Sequence, residues 1–198
     1  MSTVSLKNTS LSGAVKYNSL LAGNVAFVPV FAYDLLETQT LASDAASVTF
    51  TGLGSYTDYK HLQVRAVGRS SFGSIDFLDL VVNSDTGSNY ARHRLQGNGS
   101  SVTSGSGTSQ SKLGLGQLND DNSTANAFTA YVIDVLDFSS TSKNKTFRTL
   151  SGRADSGNVI MLRSGLYIST NAITDLEFSS AQSANLLAGS RFSLYGVK

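Results

Sequence analysis

The sequence predicts an all-β protein: an antiparallel β-sandwich of jelly-roll type with an extended N-terminal arm. Three observations lead there. Apolar and polar residues alternate with period two over many short stretches. Turn-forming Gly, Ser, Asn and Asp separate these stretches at the short, regular spacing of a sandwich or barrel. No stretch shows helical periodicity of comparable strength, which excludes a doubly wound α/β arrangement. Ala181 to Ala188 is the best candidate for a single helical turn. About nine or ten strands are expected.

The organising element is a hairpin from Phe128 to Arg153. Its first arm, Phe128 to Phe138, is the most apolar strand-like run, rich in aromatic and β-branched residues. Its second arm runs from Lys145 to Arg153, after the polar turn 139–144. In the first arm Tyr131, Ile133 and Val135 read as a second packed surface, opposite the core face. That surface meets either the neighbouring sheet or another subunit.

Composition narrows the function. The chain has 198 residues, enough for one β-domain with a full core plus a tail. Fifteen basic residues against 14 acidic ones give a net charge of +1, too little to attract nucleic acid or an anionic membrane. There are no cysteines, which removes disulfides, thiolate metal sites and cysteine nucleophiles. Met1 to Lys7 has no continuous apolar run, so no secretory signal is expected.

Residues 1–31 are expected to be an extended anchoring arm, and 32–198 a jelly-roll-like β-sandwich domain. Tyr17, Leu20, Leu21, Phe27 and Phe31 are too many large apolar groups for a solvated tail, so they read as partner-binding residues. Pro29 favours extended backbone around it. Strands are then expected at Asp34–Leu41, Ala46–Thr51, Lys60–Ser70, Ile75–Asn83 and Tyr90–Gln96. Residues 97–112 are Gly/Ser-rich and read as a long exposed loop, followed by an apolar island of Leu113, Leu115 and Leu118. After the hairpin come Val159–Ile168, Ile173–Phe178 and Ser190–Tyr195. Leu176, Phe178, Phe192 and Leu194 face inward there.

No catalytic residue, cofactor or metal site is assigned. His61 and His93 sit in strands beside basic residues and lack a nucleophile–acid arrangement. Asp134 and Asp137 are three apart on one strand, hence on opposite faces; a cross-strand ion pair with Arg148 or Arg153 explains such a carboxylate better than acid–base work. Asn83 to Asn89 offers alternating side-chain oxygens, but any turn selects these residues, and the glycine and glutamate of a calcium loop are missing. Asp120, Asp121 and Asn122 read as a solvated loop. Arg65, Arg69, Arg92 and Arg94 suggest a basic patch without a basic field around it.

Several segments together resemble β-rich structural proteins of tailed phages, especially phages of marine cyanobacteria and other aquatic bacteria. They are Ser19–Asn24, Ala46–Leu53, Tyr59–Arg65, Asn83–Tyr90, Gly97–Ser100, Val132–Asp137, Asn144–Thr146 and Gly189–Gly196. The resemblance spans residues 17–198 and rests on the order and number of the segments. It implies a non-enzymatic virion component: an appendage or decoration subunit on capsid, neck or tail, with other virion proteins as partners. The implied protein assembles in the host bacterial cytoplasm as a homo-oligomer, expected to be a trimer. The alternative is a tail-fibre module that binds a host surface glycan through Tyr56, Tyr59, Tyr90 or Tyr167. No nucleic-acid or membrane partner is expected.

Overall fold

Side chains alternate across a strand, so a period-two sequence makes each strand two-faced and drives apolar faces together. The computed structural model describes residues 32–155 and 158–198. The arm assigned to residues 1–31, with Tyr17, Leu20, Leu21, Phe27 and Phe31, lies outside the described residues.

Among the described residues twelve strands form: β1 (Tyr33–Thr40), β2 (Ser47–Phe50), β3 (His61–Gly68), β4 (Asp76–Val82), β5 (Tyr90–Gly97), β6 (Val102–Gln110), β7 (Leu113–Leu118), β8 (Thr129–Leu136), β9 (Lys145–Arg153), β10 (Val159–Tyr167), β11 (Leu176–Ser180) and β12 (Arg191–Val197). They build two sheets, one of eight strands in the order β1-β12-β3-β8-β9-β10-β5-β6 and one of four in the order β2-β11-β4-β7. Every paired strand is antiparallel to its neighbours. The protein is therefore an all-β sandwich. Among the described residues no helix is long and apolar enough to cross a membrane.

The core lies between the sheets. Val48, Phe50, Leu78, Leu80, Leu176 and Phe178 come from the small sheet, and Leu62, Val64, Ile133, Val135, Phe147, Phe192 and Leu194 from the large one. Phe178 is its hub. It meets Phe50 edge-on at 6.2 Å between ring centroids and Phe192 at 5.3 Å. Packing is close enough that backbone and side chain interlock. A Cβ on Gly165 in β10 would lie 2.6 Å from Leu113 Cδ1 in β7. Lys145 opens β9 fully buried, and its Nζ donates to the carbonyls of Ser140, Lys143 and Thr170 at 2.7, 2.7 and 3.2 Å. It ties the hairpin turn to the loop after β10.

Most expected strands form with the expected inward residues, and the hairpin is present as β8–β9. Three expectations need correction. Much of 97–112 is not a loop: residues 102–110 form β6, the outer edge of the large sheet, and the apolar island is β7. Ser-Gly repeats pair there because β5 supplies a complete backbone partner, while small residues leave room for the arginine stems of β5. A Cβ on Gly105 would lie 3.0 Å from Arg94 Nε. On β8 the face expected to be core is turned to solvent, with Val132 exposed, while Tyr131, Ile133 and Val135 form the packed surface that meets the neighbouring sheet, one of the two alternatives expected for it. Residues 181–188 make turns and two isolated bridges, with no helical turn, because Leu186 is drawn fully into the core and pairs with both Ala45 and Ser70.

Candidate functional site

Two surfaces of the large sheet stand out, one apolar and one basic. Strands β8, β9, β10 and β5 are in register so that Val132 faces Leu150, Leu150 faces Leu162, and Leu162 faces Leu95. All four point away from the small sheet. A second row runs alongside, from Gly152 through Ile160 and Gly97 to Val102. The six large side chains keep much of their area in solvent: Val132 39%, Leu150 52%, Leu162 45%, Leu95 50%, Ile160 67% and Val102 73%. Scattered exposed leucines are ordinary, but a contiguous band is not; the largest apolar patch on a monomer is roughly 300–600 Å² and often functional. The band has a polar border in the next row. There Arg148 Nε and Nη2 donate to Asp134 Oδ2 at 3.0 and 2.7 Å, with Ser164 and His93 beyond. At the other end of the Val132 row, Arg65 lies over Tyr195 and Tyr33, 4.9 and 5.4 Å from the ring centroids.

The basic surface is a cleft of about 520 Å³ beside edge strand β7. The large sheet extends past the small one here, because β5 and β6 prolong it beyond β10. Phe77 and Asp79 come from β4, Arg92 and Arg94 from β5, Ser106 and Gln110 from β6, Ser111 and Lys112 from the following turn, and Arg163 from β10. Four cations thus line a space with a single carboxylate. Gly114 in β7 permits the crowding: a Cβ there would collide with Nη1 of both Arg92 and Arg163 and lie 3.4 Å from Asp79 Oδ1. Arg163 is 4% exposed, donates from Nε to Met161 Sδ, and covers the Phe77 ring at 5.3 Å. Burial, reinforced by the nearby charges of Arg92 and Arg94, pulls its guanidinium down to about 10. Asp79 is pushed the other way. Burial raises its carboxyl, against the pull of Lys112, Arg92 and Arg163. Among the described residues no carboxylate forms an ion pair with any of the four cations, and the Asp79 side chain accepts no hydrogen bond.

The candidate residues read from the sequence scatter. Arg92 and Arg94 enter the cleft, but Arg65 is on the outer face. Arg69 is buried, donating to the carbonyls of Thr124, Asp121 and Ser123 at 3.0, 3.3 and 3.1 Å. There is no single patch of all four. Asp134 forms the expected ion pair with Arg148, and its other oxygen accepts from Gln63 Nε2 at 2.8 Å. His61 is a strand residue whose Nδ1 accepts from the Asp137 amide at 2.9 Å. Residues 83–89 form a turn held from inside. Asp85 accepts from Gly87 N, Asn89 Nδ2 and Tyr167 Oη at 2.8, 2.8 and 2.9 Å. Asp120 is not solvated as expected, because it is buried with Ser123 and lies 3.8 Å from Arg153. Tyr90 and Tyr167 stack on each other inside the core at 5.0 Å, so neither offers a face to a sugar. Tyr59 packs its ring on Gly196 and donates to Asp34 at 2.9 Å.

Asp79, Lys112 and Arg163 are absent from any sequence motif. Only strand register brings them together, and the sole hint is Gly alternation opposite Arg92 and Arg94. Comparison with models of known protein families, with curated proteins and with solved structures finds no match to this chain.

Proposed function

We propose that the protein is a non-enzymatic structural subunit of a tailed-phage virion. It would serve as an appendage or decoration subunit on capsid, neck or tail, joined to the particle through residues 1–31. The observation that carries this reading is the apolar band of Val132, Leu150, Leu162, Leu95, Ile160 and Val102. A band this wide on a rigid sheet face suits permanent cover by other copies of the chain. Homo-oligomers with closed symmetry bury such faces repeatedly, and a trimer is our assignment.

Strand order gives independent support. Without the hairpins β5–β6 and β9–β10, the remaining eight strands renumbered in chain order run 1-8-3-6 in one sheet and 2-7-4-5 in the other. We read this as a jelly roll, an architecture that viral capsid proteins share with lectin domains and cupins. The segments resembling β-rich phage structural proteins point the same way, and assembly in a reducing cytoplasm suits a chain without cysteine. Deleting residues 1–31 tests the attachment. The shortened chain is expected to fold, judged by its circular dichroism, yet to be missing from purified particles. Normal incorporation would overturn the reading.

A further inference from the structure

The cleft beside β7 holds charge that the protein itself leaves unanswered. Arg92 and Arg163 present Nη1 atoms to the same small volume above Gly114, and Lys112 and Arg94 line the same space. Like charges gathered at a half-enclosed site repel, and repulsion is strongest where water is excluded. A fold under no other constraint relieves such a cluster with carboxylates, as Asp134 does for Arg148 on the outer face. Here Asp79 alone stands near, and it makes no ion pair among the described residues.

The geometry points to a binding site for an oxyanion-bearing saccharide, a sugar carrying a carboxylate or sulfate group. The oxyanion sits on Arg92 and Arg163, and the sugar hydroxyls meet Asp79, Ser106, Gln110 and Ser111. Guanidinium groups match carboxylate and sulfate through paired N–H donors, and a buried one is already stripped of competing water. Size argues against a bare ion. The cleft is about 520 Å³, within the usual range of small-molecule sites, and an oxyanion fills only part of it. Besides the cations, the lining offers the hydroxyls of Ser106 and Ser111, the Gln110 amide and the Asp79 carboxylate to sugar hydroxyls, and Phe77 and Ala181 to the apolar face of a ring. Asp79 argues against a polyanion such as an acidic peptide, since a second negative group would meet its carboxylate. A sugar hydroxyl instead donates to it. The inference goes beyond the virion role and does not depend on it.

Titration calorimetry on the full chain tests the site at matched ionic strength, with glucuronate, glucose 6-sulfate, glucose, sodium sulfate and a glutamate pentapeptide as probes. At least one of the two anionic sugars is expected to bind, with glucose, sulfate and peptide each weaker by tenfold or more. Arg92→Gln is expected to weaken the sugar at least tenfold while its melting curve stays in place or moves up, because a repelled cation is removed. Lys112→Gln, at a half-exposed turn position, is expected to weaken the sugar as well. Asp79→Asn is expected to weaken the anionic sugar but leave sulfate unchanged or tighter. Absence of binding by both anionic sugars would overturn the inference. So would sulfate or peptide binding as tightly as the sugar, or unchanged sugar binding in both cation variants. None of these outcomes touches the oligomeric state, so the virion role is judged separately.

Discussion

Tyr131 and Val132 are adjacent in β8, yet one side chain is 2% exposed and the other 39%. Tyr131 also donates its hydroxyl to the Gln117 carbonyl across the sandwich. Burying a charge at Tyr131 is among the costliest single changes, so Tyr131→Asp should lose more than about 4 kcal/mol and fail to fold, read from urea unfolding. Val132→Asp should stay within about 1 kcal/mol of the parent at concentrations low enough to dissociate copies, since in a single chain it faces solvent. Asp85 gives a pH signature. Asn89, Gly87 and Tyr167 donate to its carboxylate and hold it below the usual carboxylate range. A depressed folded-state value means that the ion is favoured by folding. The resulting stabilisation is complete above the ordinary carboxylate range and is lost as pH falls through the lower, folded-state value. Asp85→Asn should therefore flatten the acid limb of thermal stability, and a parallel limb in both proteins would refute this role.

At the scale of elements, period-two patterning was readable wherever one face is core. Val48 and Phe50 in β2, Leu62 and Val64 in β3, and Phe192 and Leu194 in β12 alternate against polar neighbours and are buried as expected. It failed for β8, where Ala130, Val132 and Leu136 make the solvent face apolar too; alternation cannot rank two apolar faces. It failed also for β6, whose Ser-Gly repeat carries no apolar face and forms a strand only because β5 is there to pair with. The cleft was legible only in part for a related reason. Arg92 and Arg94 are visible as a pair, but Asp79, Lys112 and Arg163 join them through register between strands far apart in sequence. Tight contact between β7 and β10 gives an element-scale prediction. Gly165→Ala forces a Cβ onto Leu113, 2.6 Å away, and should cost about 1–3 kcal/mol in chemical denaturation. Phe178→Ala empties the aromatic hub between the sheets and should cost about 3–5 kcal/mol. A loss under 1 kcal/mol at Phe178 would mean that the hub is not central.

Over its described residues the chain is a sandwich with unequal layers. Eight strands in one sheet and four in the other leave part of the large sheet's inner face uncovered, and the cleft follows from that asymmetry. The overhang beyond β7 makes the cleft, while the long outer face carries the apolar band. In a single chain the band faces solvent, on the side of the sheet away from the core, so the fold of one chain does not depend on it; the proposed association does. The sharpest test is the solution mass of the full chain beside that of a Leu150→Asp, Leu162→Asp double variant, by analytical ultracentrifugation across a concentration series. An oligomer, three copies by our assignment, is expected for the parent. A single copy is expected for the variant, with unchanged circular dichroism and a melting temperature that no longer rises with protein concentration as the parent's does. A monomeric parent, or a variant that assembles as the parent does, would contradict it.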